Sequence, residues 1–400
     1  MIEREITPRL VRLFGQYPIV TVTGPRQSGK TTLCRSTFAE LGYANLEDHG
    51  VREFAETDPV GFLAQFPDGA VLDEIQHAPK LPSYLQVLVD EDGRNGRFVL
   101  TGSEQFGLTN TISQSLAGRT ALLRLLPFTL AERRRTGAPD SVDEVLYSGC
   151  YPRIHDQELD PTQALADYLV TYVERDAQRI GGIRDLAAFR RFIRLCAGRV
   201  GHVVNLARLG ADTGVSQPTV RAWLDVLEAS DVVFRLHPHH TNIRKRLTKA
   251  PKLYFGDVGL ASHLIGVRSA DQLATHPQRG QLFENAAVVE AVKHSHNHGR
   301  YAELSFFRTA DGLECDLLYP TPAGLAAVEI KSGATVAGAW FAGLGRIKRT
   351  IPDVSSTAIV YGGNAPQTRT GAAAVPLGGL AELLAGFDAL APEPAPGIDL

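Results

Sequence analysis

The sequence predicts a three-part α/β protein in which a helical module separates two α/β domains. Apolar strand-like segments alternate with amphipathic helical segments over residues 17–130, and short strand-like segments return after residue 252. This alternation is typical of a mainly parallel sheet with crossover helices. Residues 161–235 instead show helical periodicity with few strand signals. The predicted domain ranges are 1–160, 161–255 and 256–375, followed by a Pro-rich tail at 376–400.

Length and composition are those of a globular protein with more than one domain. The chain has 400 residues, of which 44% are apolar and 21% charged, and a single core seldom serves more than about 300 residues. No segment approaches the run of about 18 apolar residues that a membrane span requires. The first residues also lack the basic end and hydrophobic run of a secretory signal. We therefore expect a cytoplasmic protein with no membrane partner.

Charge and cysteine content limit the function classes further. The formal net charge is −3, so any contact with nucleic acid would need a local basic patch. Cys34, Cys150, Cys196 and Cys315 lie far apart without paired spacing, which argues against a disulfide framework and a zinc site. We expect buried free thiols.

The first apolar strand, residues 17–23, runs into a glycine-rich loop and then into a helical segment. The loop fits the pattern G-x-x-x-x-G-K-[ST]. Its glycines let the backbone curl so that N–H groups meet phosphate oxygens, and the following helix N-terminus adds positive partial charge. A plain strand-to-helix turn would not require Lys-Thr here. The pattern predicts an ATP-binding loop of Gly24, Pro25, Arg26, Gln27, Ser28, Gly29, Lys30, Thr31 and Thr32.

Two side chains of this loop and two strand-end acids have distinct predicted roles. Lys30 would reach the β- and γ-phosphates, and Thr31 would offer its hydroxyl to Mg²⁺. The next apolar strand ends in Asp73 and Glu74. Asp73 is predicted to hold Mg²⁺ through water, and Glu74 to orient and deprotonate the attacking water. The alternative is a solvated acidic strand end.

A third strand-like segment, residues 97–103, ends in hydroxyl side chains. Thr101 or Ser103 is a candidate polar sensor of the γ-phosphate. The alternative is an ordinary turn or helix-capping hydroxyl.

These motifs resemble the AAA-type P-loop ATPases that carry a C-terminal DUF4143 region. The resemblance implies an AAA-type domain that hydrolyses ATP and assembles as a ring or dimer. It also makes Arg119 a candidate trans-acting or sensor arginine, because such an arginine stabilises transition-state charge on the γ-phosphate; a surface salt bridge is the other interpretation. The resemblance covers nearly the whole chain and is carried by GPRQSGKTTL, VLDEIQ, LTGSEQF, SLAGRT, LLPFTLAE, GCYPR, YLVTYVERD, PKLYFGDVGLASHL and VEIKSG.

The middle module contains a helix-turn-helix pattern followed by a candidate wing strand. Gly214 can end the first helix in the left-handed conformation, and Ser216 can cap the second. The pattern resembles a winged helix whose recognition helix would present Gln217, Thr219 and Arg221. The basic run from residue 242 to 249 could bind a phosphate backbone. Such modules also serve as protein scaffolds, so contact with nucleic acid and a purely structural role both stay open.

The C-terminal strands carry charged residues in an order that resembles the PD-(D/E)xK nuclease core. Glu284 lies on a predicted helix, Asp316 on one strand, and Glu329 and Lys331 share one face of the next strand. In such cores carboxylates hold divalent ions that activate water, while the lysine positions the nucleophile. The order predicts a restriction-endonuclease-like α/β domain; an ion pair without cleavage is the alternative. The spacing of the histidines at 294, 296 and 298 favours a solvated helix end over a metal site.

Together the motifs predict an ATPase that uses ATP and Mg²⁺ and acts on, or is regulated by, DNA or RNA. The alternative is a nucleotide-gated regulatory or assembly protein that binds a protein partner and cleaves nothing. Either is compatible with a homo-oligomer.

Overall fold

The computed structural model describes residues 2–102, 115–240, 249–300, 303–369 and 372–390. Within these ranges the chain forms two sheets, and a largely helical segment joins them.

The N-terminal sheet is entirely parallel. Its strands are β1 (Ile19–Thr23), β2 (Gly42–Asn45), β3 (Ala70–Asp73), β4 (Phe98–Thr101) and β5 (Thr120–Arg124). In the described part of the chain their order is β2-β3-β4-β1-β5. The accompanying helices are α1 (Thr7–Gln16), α2 (Lys30–Thr37), α3 (His49–Thr57), α4 (Pro59–Ala64) and α5 (Leu81–Asp92). Because the strands are parallel, the loops after β1, β3 and β4 meet at one edge, as predicted for an α/β fold.

Both faces of this sheet are covered, which explains the near-continuous apolar runs of its strands. Side chains alternate between two cores along each strand. One core contains Ile19, Leu72 and Leu100, and the other contains Val20, Val71 and Val99.

The connecting segment is largely helical and contains the predicted helix-turn-helix. Its helices are α6 (Leu130–Arg134), α7 (Val142–Ser148), α8 (Pro152–Asp156), α9 (Pro161–Tyr168), α10 (Glu174–Gly181), α11 (Leu186–Ala197), α12 (Leu206–Thr213) and α13 (Gln217–Ala229). A π-helical turn, Leu169–Val173, joins α9 to α10. Gly214 follows α12 with a φ of 83°, and the Ser216 side chain accepts a hydrogen bond from Thr219 N at the start of α13. The two caps therefore form where the sequence predicts them.

The second sheet is mixed. Its strands are β6 (Val233–Pro238), β7 (Lys252–Phe255), β8 (Ser305–Arg308), β9 (Glu314–Thr321), β10 (Gly324–Lys331), β11 (Val354–Tyr361), β12 (Gln367–Arg369) and β13 (Ala372–Pro376). Over the described ranges their order is β12-β13-β11-β10-β9-β8-β6-β7. The remaining helices are α14 (Val258–Leu264), α15 (Arg279–His298), α16 (Gly338–Thr350) and α17 (Leu380–Asp388). The antiparallel pairing of β9 with β10 brings their charged ends together.

The domain boundaries at 160/161 and 255/256 stay predictions, and apolar contacts cross both positions. β6 and β7 form an antiparallel pair after α13, and β6 joins β8 through two residue pairs. One continuous apolar core includes residues from Phe128 to Phe387. The reason is that a two-stranded hairpin buries too little apolar surface by itself, so it completes its packing within a larger sheet. The helical segment and the second sheet are therefore one packed body.

Three expectations from the sequence concern burial. The four cysteines are free and buried, as predicted. The solvated helix end is wrong for His294, which is buried, lies 4.2 Å from the His298 ring and contacts Asp388 of α17 at 3.0 Å. Among the described residues, no helix combines the length and the apolar character needed to cross a membrane.

Candidate functional site

The loop between β1 and α2 has a backbone shape that suits a phosphate. Gly24 has a φ of 138°, Gly29 of 91° and Gln27 of 61°. A Cβ atom on Gly24 would lie 2.0 Å from the carbonyl oxygen of Leu125, so the close approach requires glycine. Since α2 begins at Lys30, the N–H groups of its first turn, which have no intrahelical partner, lie at the end of this loop.

The Lys30 side chain folds back over the loop. Its Nζ donates to the carbonyl oxygens of Gly24 at 3.0 Å and Pro25 at 2.9 Å, and the side chain is buried. Burial lowers the pKa of Lys30 from its ordinary value, while Glu74 and Asp231 act in the opposite direction. Charged acceptors bind an ammonium more strongly than neutral carbonyls do, so an incoming phosphate would be the better partner.

Thr31 and Asp73 meet where α2 begins and β3 ends. Thr31 Oγ1 donates to Asp73 Oδ2 at 2.8 Å. Tyr43 from β2 donates to the same oxygen at 3.0 Å, and Thr101 from β4 donates to Oδ1. A hydroxyl and a carboxylate are the protein ligands that Mg²⁺ takes beside substrate phosphates. The donor set therefore fits Mg²⁺.

The sequence analysis did not single out Tyr43. Burial and the neighbouring Asp73 raise the pKa of Tyr43 to about 12, so its hydroxyl remains a donor to Asp73 at neutral pH. The Arg35 guanidinium lies 4.4 Å from the centre of the Tyr43 ring. The usable signal is that Tyr43 lies two residues before Asn45, the polar end of β2 that pairs with Asp73 at the end of β3.

Glu74 turns sharply out of β3. Its φ of 56° is left-handed, which is uncommon for a non-glycine residue and is often found at functional positions. Glu74 N donates to Thr101 Oγ1 at 3.2 Å, and Gln76 donates to the Glu74 carboxylate. Glu74 also lies close enough to Lys30 to favour its charged form. The predicted acidic pair thus stands at the same sheet edge as the glycine loop.

Arg4 links the loop to the segment after β5. Its guanidinium donates to the carbonyl oxygens of Ser28 and Leu126, both at 2.7 Å, and lies 3.0 Å from the Glu132 carboxylate. Because these contacts hold loop backbone directly, Arg4 helps to fix the loop shape.

A cavity of about 710 Å³ lies beside the loop, between the N-terminal residues and α8. A volume of this order accommodates a nucleoside-sized group. Its lining includes Ile2, Gln27, Thr32, Phe128 and Arg153.

Arg26 and Arg124 also connect this sheet edge to the helical segment. The Arg26 guanidinium lies 5.6 Å from the ring centre of Tyr172, within the π-helical turn. Arg124, at the end of β5, pairs with Asp231, which follows α13 and has a φ of 58°. Isolated π-turns are frequent at functional sites. The loop and the neighbouring strand end therefore both contact the segment that contains the helix-turn-helix.

One predicted residue, Arg119, is not part of this constellation. Arg119 precedes β5, and in a parallel sheet that position lies at the edge opposite the loop. Its guanidinium donates to both Asp90 oxygens, at 2.6 and 2.7 Å. A sensor role within the same chain does not fit this position, whereas a role toward a neighbouring chain stays a prediction. Ser103 lies outside the described residues, and Thr101 is the strand-end hydroxyl that contacts Asp73.

The four residues predicted for the C-terminal site converge on one face of the second sheet. Glu284 comes from α15, Asp316 from β9, and Glu329 and Lys331 from β10. Lys331 Nζ lies 2.5 Å from Glu329 and 3.7 Å from Asp316. They line a pocket of about 350 Å³ together with Glu314. We call Glu284, Glu314, Asp316 and Glu329 the carboxylate cluster.

The sequence analysis missed Lys252, which lies among these carboxylates. Its Nζ is 2.9 Å from Glu284, 2.7 Å from Glu314 and 3.9 Å from Asp316. Tyr254, two residues along β7, donates to Glu284 at 2.5 Å. Nothing in the local segment PKLYFGD separates Lys252 from an exposed strand-end lysine, so only the strand order reveals it.

The charged groups of the cluster shift one another's pKa values. Burial and Asp316 raise the pKa of Glu329 to about 7, and they also raise the pKa of Glu284. Burial opposes the charge of Lys252, but Glu284 and Asp316 outweigh it and raise the pKa of Lys252. Lys252 is therefore a cation at neutral pH.

The helix-turn-helix presents its predicted contact residues to solvent. Gln217 and Arg221 are exposed at the start of α13, and Thr219 is partly exposed. The basic run at 242–248 lies outside the described residues, whereas Lys249 is exposed.

A basic groove that the sequence analysis missed lies beside α12, lined by Arg194, Arg199, His202 and Arg208. Arg199 pairs with Asp212, and Arg194 and Arg208 are exposed. These arginines lie on α11, after its end and on α12, so no compact basic run marks them in the sequence.

Three family models match successive parts of the chain. Residues 16–133 match the AAA domain, 139–271 a domain of unknown function, DUF8612, and 279–380 a second such domain, DUF4143. The first match contains the glycine loop, Asp73 and Glu74. The third contains the carboxylate cluster, while Lys252 lies in the second.

Relatives match over most of the chain. Uncharacterized proteins of Mycobacterium tuberculosis and Mycobacterium bovis are each 30% identical over 334 residues, which are 83% of this chain and 74% of the relative. An uncharacterized protein of Haemophilus influenzae is 23% identical over 333 residues, covering 74% of this chain and 80% of the relative. The fold and the glycine loop define a P-loop domain of the AAA type. With the C-terminal match, the chain belongs to the family of AAA-type ATPases that carry a DUF4143 region.

Solved structures give weaker likenesses. A Walker-type ATPase of Pyrococcus abyssi is 16% identical, with 66% of this chain and 96% of that chain covered and a TM-score of 0.43. The RuvB Holliday junction branch migration motor of Thermotoga maritima is 20% identical, with 58% and 90% covered and a TM-score of 0.31. Both scores are below 0.5, so the family assignment rests on the family models and the mycobacterial relatives.

Proposed function

We propose that the chain binds ATP with Mg²⁺ on the loop after β1 and hydrolyses the bond to the γ-phosphate. The observation that carries this proposal is the buried Lys30 ammonium, which rests on the carbonyl oxygens of Gly24 and Pro25. A lysine side chain in this place can exchange its neutral partners for phosphate oxygens without leaving the loop.

The residues at this sheet edge divide the chemistry among them. Backbone N–H groups of the loop would hold the phosphates, and Thr31 and Asp73 would hold Mg²⁺, which supplies positive charge against the phosphate oxygens. Glu74 would orient the attacking water and accept its proton. Thr101 would keep the Asp73 carboxylate in position through its hydrogen bond.

Nucleotide binding would act on the helical segment through two charged contacts. Phosphates on the loop would attract Arg26 and repel the Asp231 carboxylate. Arg26 of the loop contacts Tyr172 of the helical segment, and Asp231 of the helical segment contacts Arg124 at the end of β5. Occupation of the loop would therefore change the position of the segment that contains α13.

The ATPase proposal is tested with calorimetry and phosphate release. Lys30→Ala should weaken ATP binding and lower turnover about 10²- to 10³-fold, as the loss of a charge-stabilising donor does. Glu74→Gln should retain binding and lower turnover about 10²- to 10⁴-fold, as the loss of a general base does. Lys80→Ala, an exposed lysine of the same domain, is the matched control. Equal turnover in all four proteins would eliminate the proposal.

DNA or RNA is the proposed partner of the helical segment. The first helix of a helix-turn-helix crosses the backbone while the second presents side chains to bases, and here the basic groove lies beside α12. Arg194→Ala with Arg208→Ala should reduce the slope of log affinity against log salt by about 2. Arg346→Ala with Arg349→Ala removes the same charge from exposed positions of α16 and should leave the slope unchanged.

A nucleotide-gated regulatory or assembly protein is the second candidate, favoured by the net charge of −3. It predicts no retention of duplex or single-stranded probes and an ATP-dependent change of oligomeric state in light scattering. A cytoplasmic location and a homo-oligomer, in which Arg119 contacts a neighbouring chain, belong to both candidates.

A restriction-endonuclease-like fold of the C-terminal region also remains a proposal. The order of Glu284, Asp316, Glu329 and Lys331 on α15, β9 and β10 supports it.

A further inference from the structure

The carboxylate cluster is a place where a nuclease-like fold would hold divalent ions. Glu314 and Asp316 lie two residues apart on β9 and therefore share one face, and Glu329 lies on the adjacent strand β10. Glu284 closes the cluster from α15. Magnesium bound there would need carboxylate oxygens at about 2.0–2.1 Å around one point, and calcium at about 2.3–2.6 Å.

The ammonium of Lys252 occupies the space between these carboxylates. It lies at hydrogen-bond distance from Glu284 and Glu314, 2.9 and 2.7 Å, and only 4% of its side chain is exposed. An ammonium donates three hydrogen bonds from a compact charge, so it satisfies the carboxylates that a metal would otherwise use. A divalent ion at this position would also stand against a fixed positive charge.

The ligand geometry agrees with this interpretation. Over the described ranges, no group of three or more His, Cys, Asp or Glu side chains is arranged to hold a metal ion. The residues of the cluster therefore do not fit the metal that the nuclease resemblance implies. They fit a buried lysine.

The position of Lys252 in the fold lets it connect β7 to α15 and β9. Lys252 is the first residue of β7, in the hairpin that follows the helix-turn-helix. Among the described residues, that hairpin pairs with β8 at two positions. Lys252 adds ion pairs to α15 and to β9, and Tyr254 adds a hydrogen bond to α15.

We infer that Lys252 takes the place of the divalent cation in the carboxylate cluster. The carboxylate cluster is thereby a charge-compensated contact that holds β7 to α15 and β9. It holds no catalytic metal and cleaves no phosphodiester while Lys252 is present. Once the ammonium is removed, we expect the carboxylates to rearrange around a divalent ion.

The test is Mn²⁺ binding, followed by electron paramagnetic resonance on nucleotide-free protein. All variants carry Asp73→Asn, which removes the carboxylate of the other proposed metal site. This background protein should show no Mn²⁺ site that depends on Asp316. Adding Lys252→Met should create one site and tighten Mn²⁺ binding at least about tenfold, and adding Asp316→Asn should abolish it.

Lys331→Met is the matched control, because it removes a lysine that contacts Glu329 and Asp316 but lies at the rim, 35% exposed. It should create no Mn²⁺ site. Mn²⁺ binding by the background protein that Asp316→Asn removes would overturn the inference. Failure of folded Lys252→Met protein to gain a site would do the same. If Lys252→Met does not fold, Lys252→Gln replaces it, and the background comparison with and without Asp316→Asn decides independently.

Discussion

Two buried lysines occupy the two sites of this chain, and they differ in their partners. Lys30 donates to the carbonyl oxygens of Gly24 and Pro25, whereas Lys252 contacts the carboxylates of Glu284 and Glu314. Neutral carbonyls release an ammonium to an incoming anion at modest cost, but a carboxylate that loses its cation in the interior is left as an unpaired buried charge. The first setting suits reversible ligand exchange, and the second suits a permanent contact.

The largest expected effect separates the two lysines by stability. Lys252→Met should lower the free energy of unfolding by about 3–5 kcal/mol, because it removes the buried ammonium that compensates the carboxylates of Glu284 and Glu314. Lys30→Met should leave it unchanged or raise it by about 1 kcal/mol, because a buried charge with neutral partners is removed. Urea unfolding monitored by circular dichroism measures both values. Equal losses in the two variants would contradict the comparison.

The second prediction uses the pH dependence of stability. The pKa of Glu329 in the folded protein is about 7, above its value of about 4.3 in an unfolded chain. The folded state then binds more protons between these values, so the contribution of Glu329 to stability is fully present below about pH 4.3 and is lost as pH rises through 7.

Glu329→Gln should remove this dependence. Between pH 4.5 and 7.5 the wild type should lose about 2 kcal/mol relative to the variant, less than an isolated group would give because Asp316 shares the titration. Urea unfolding at a series of pH values measures the difference. If the wild type instead loses stability relative to Glu329→Gln as pH falls, the prediction is contradicted.

The third prediction concerns the hydrogen bond from Tyr43 to Asp73. Tyr43→Phe removes one donor to the charged Asp73 carboxylate. Mg²⁺ binding should therefore weaken by about 1–2 kcal/mol, which raises the Mg²⁺ concentration needed for half-maximal ATP turnover about five- to thirtyfold. The Mg²⁺ concentration at half-maximal turnover measures this effect. Tyr84→Phe, at an exposed position of α5, should leave that concentration unchanged.

The smallest expected effect is that of Arg119→Ala in dilute protein. Its partner within the chain is Asp90, at the sheet edge opposite the loop, so turnover should change by less than about twofold. At protein concentrations where chains associate, any increase in turnover per chain that the wild type shows should be absent from Arg119→Ala. A large loss in dilute protein would instead give Arg119 a role within its own chain.

The sequence predicts much of the first sheet edge, because that edge depends on local patterns. β1 runs into the glycine loop that leads to Lys30, and β3 and β4 end in Asp73 and Thr101. Parallel pairing must bring such strand ends together. β2 and β5 were missed, since they are short and half-exposed and lack a continuous apolar run.

The contacts that escaped prediction join residues far apart in the chain. Lys252 meets Glu314 because β7, β6, β8 and β9 are neighbours in one sheet. Arg124 meets Asp231 because the helical segment packs on the end of β5. Neither pairing leaves a periodic or spaced pattern, so only the tertiary arrangement discloses it.

The direct passage from α13 into β6 has a mechanical consequence. Because β6 belongs to the larger sheet, the second helix of the helix-turn-helix cannot swing by itself; any rotation of it carries the sheet along. The chain passes from the N-terminal sheet to the helical segment through residues 125–128, and the glycine loop lies next to this connection, because a Cβ atom on Gly24 would meet the carbonyl oxygen of Leu125. If a ligand shifts α13, we therefore expect the helix-turn-helix and the second sheet to move together, because they share one core.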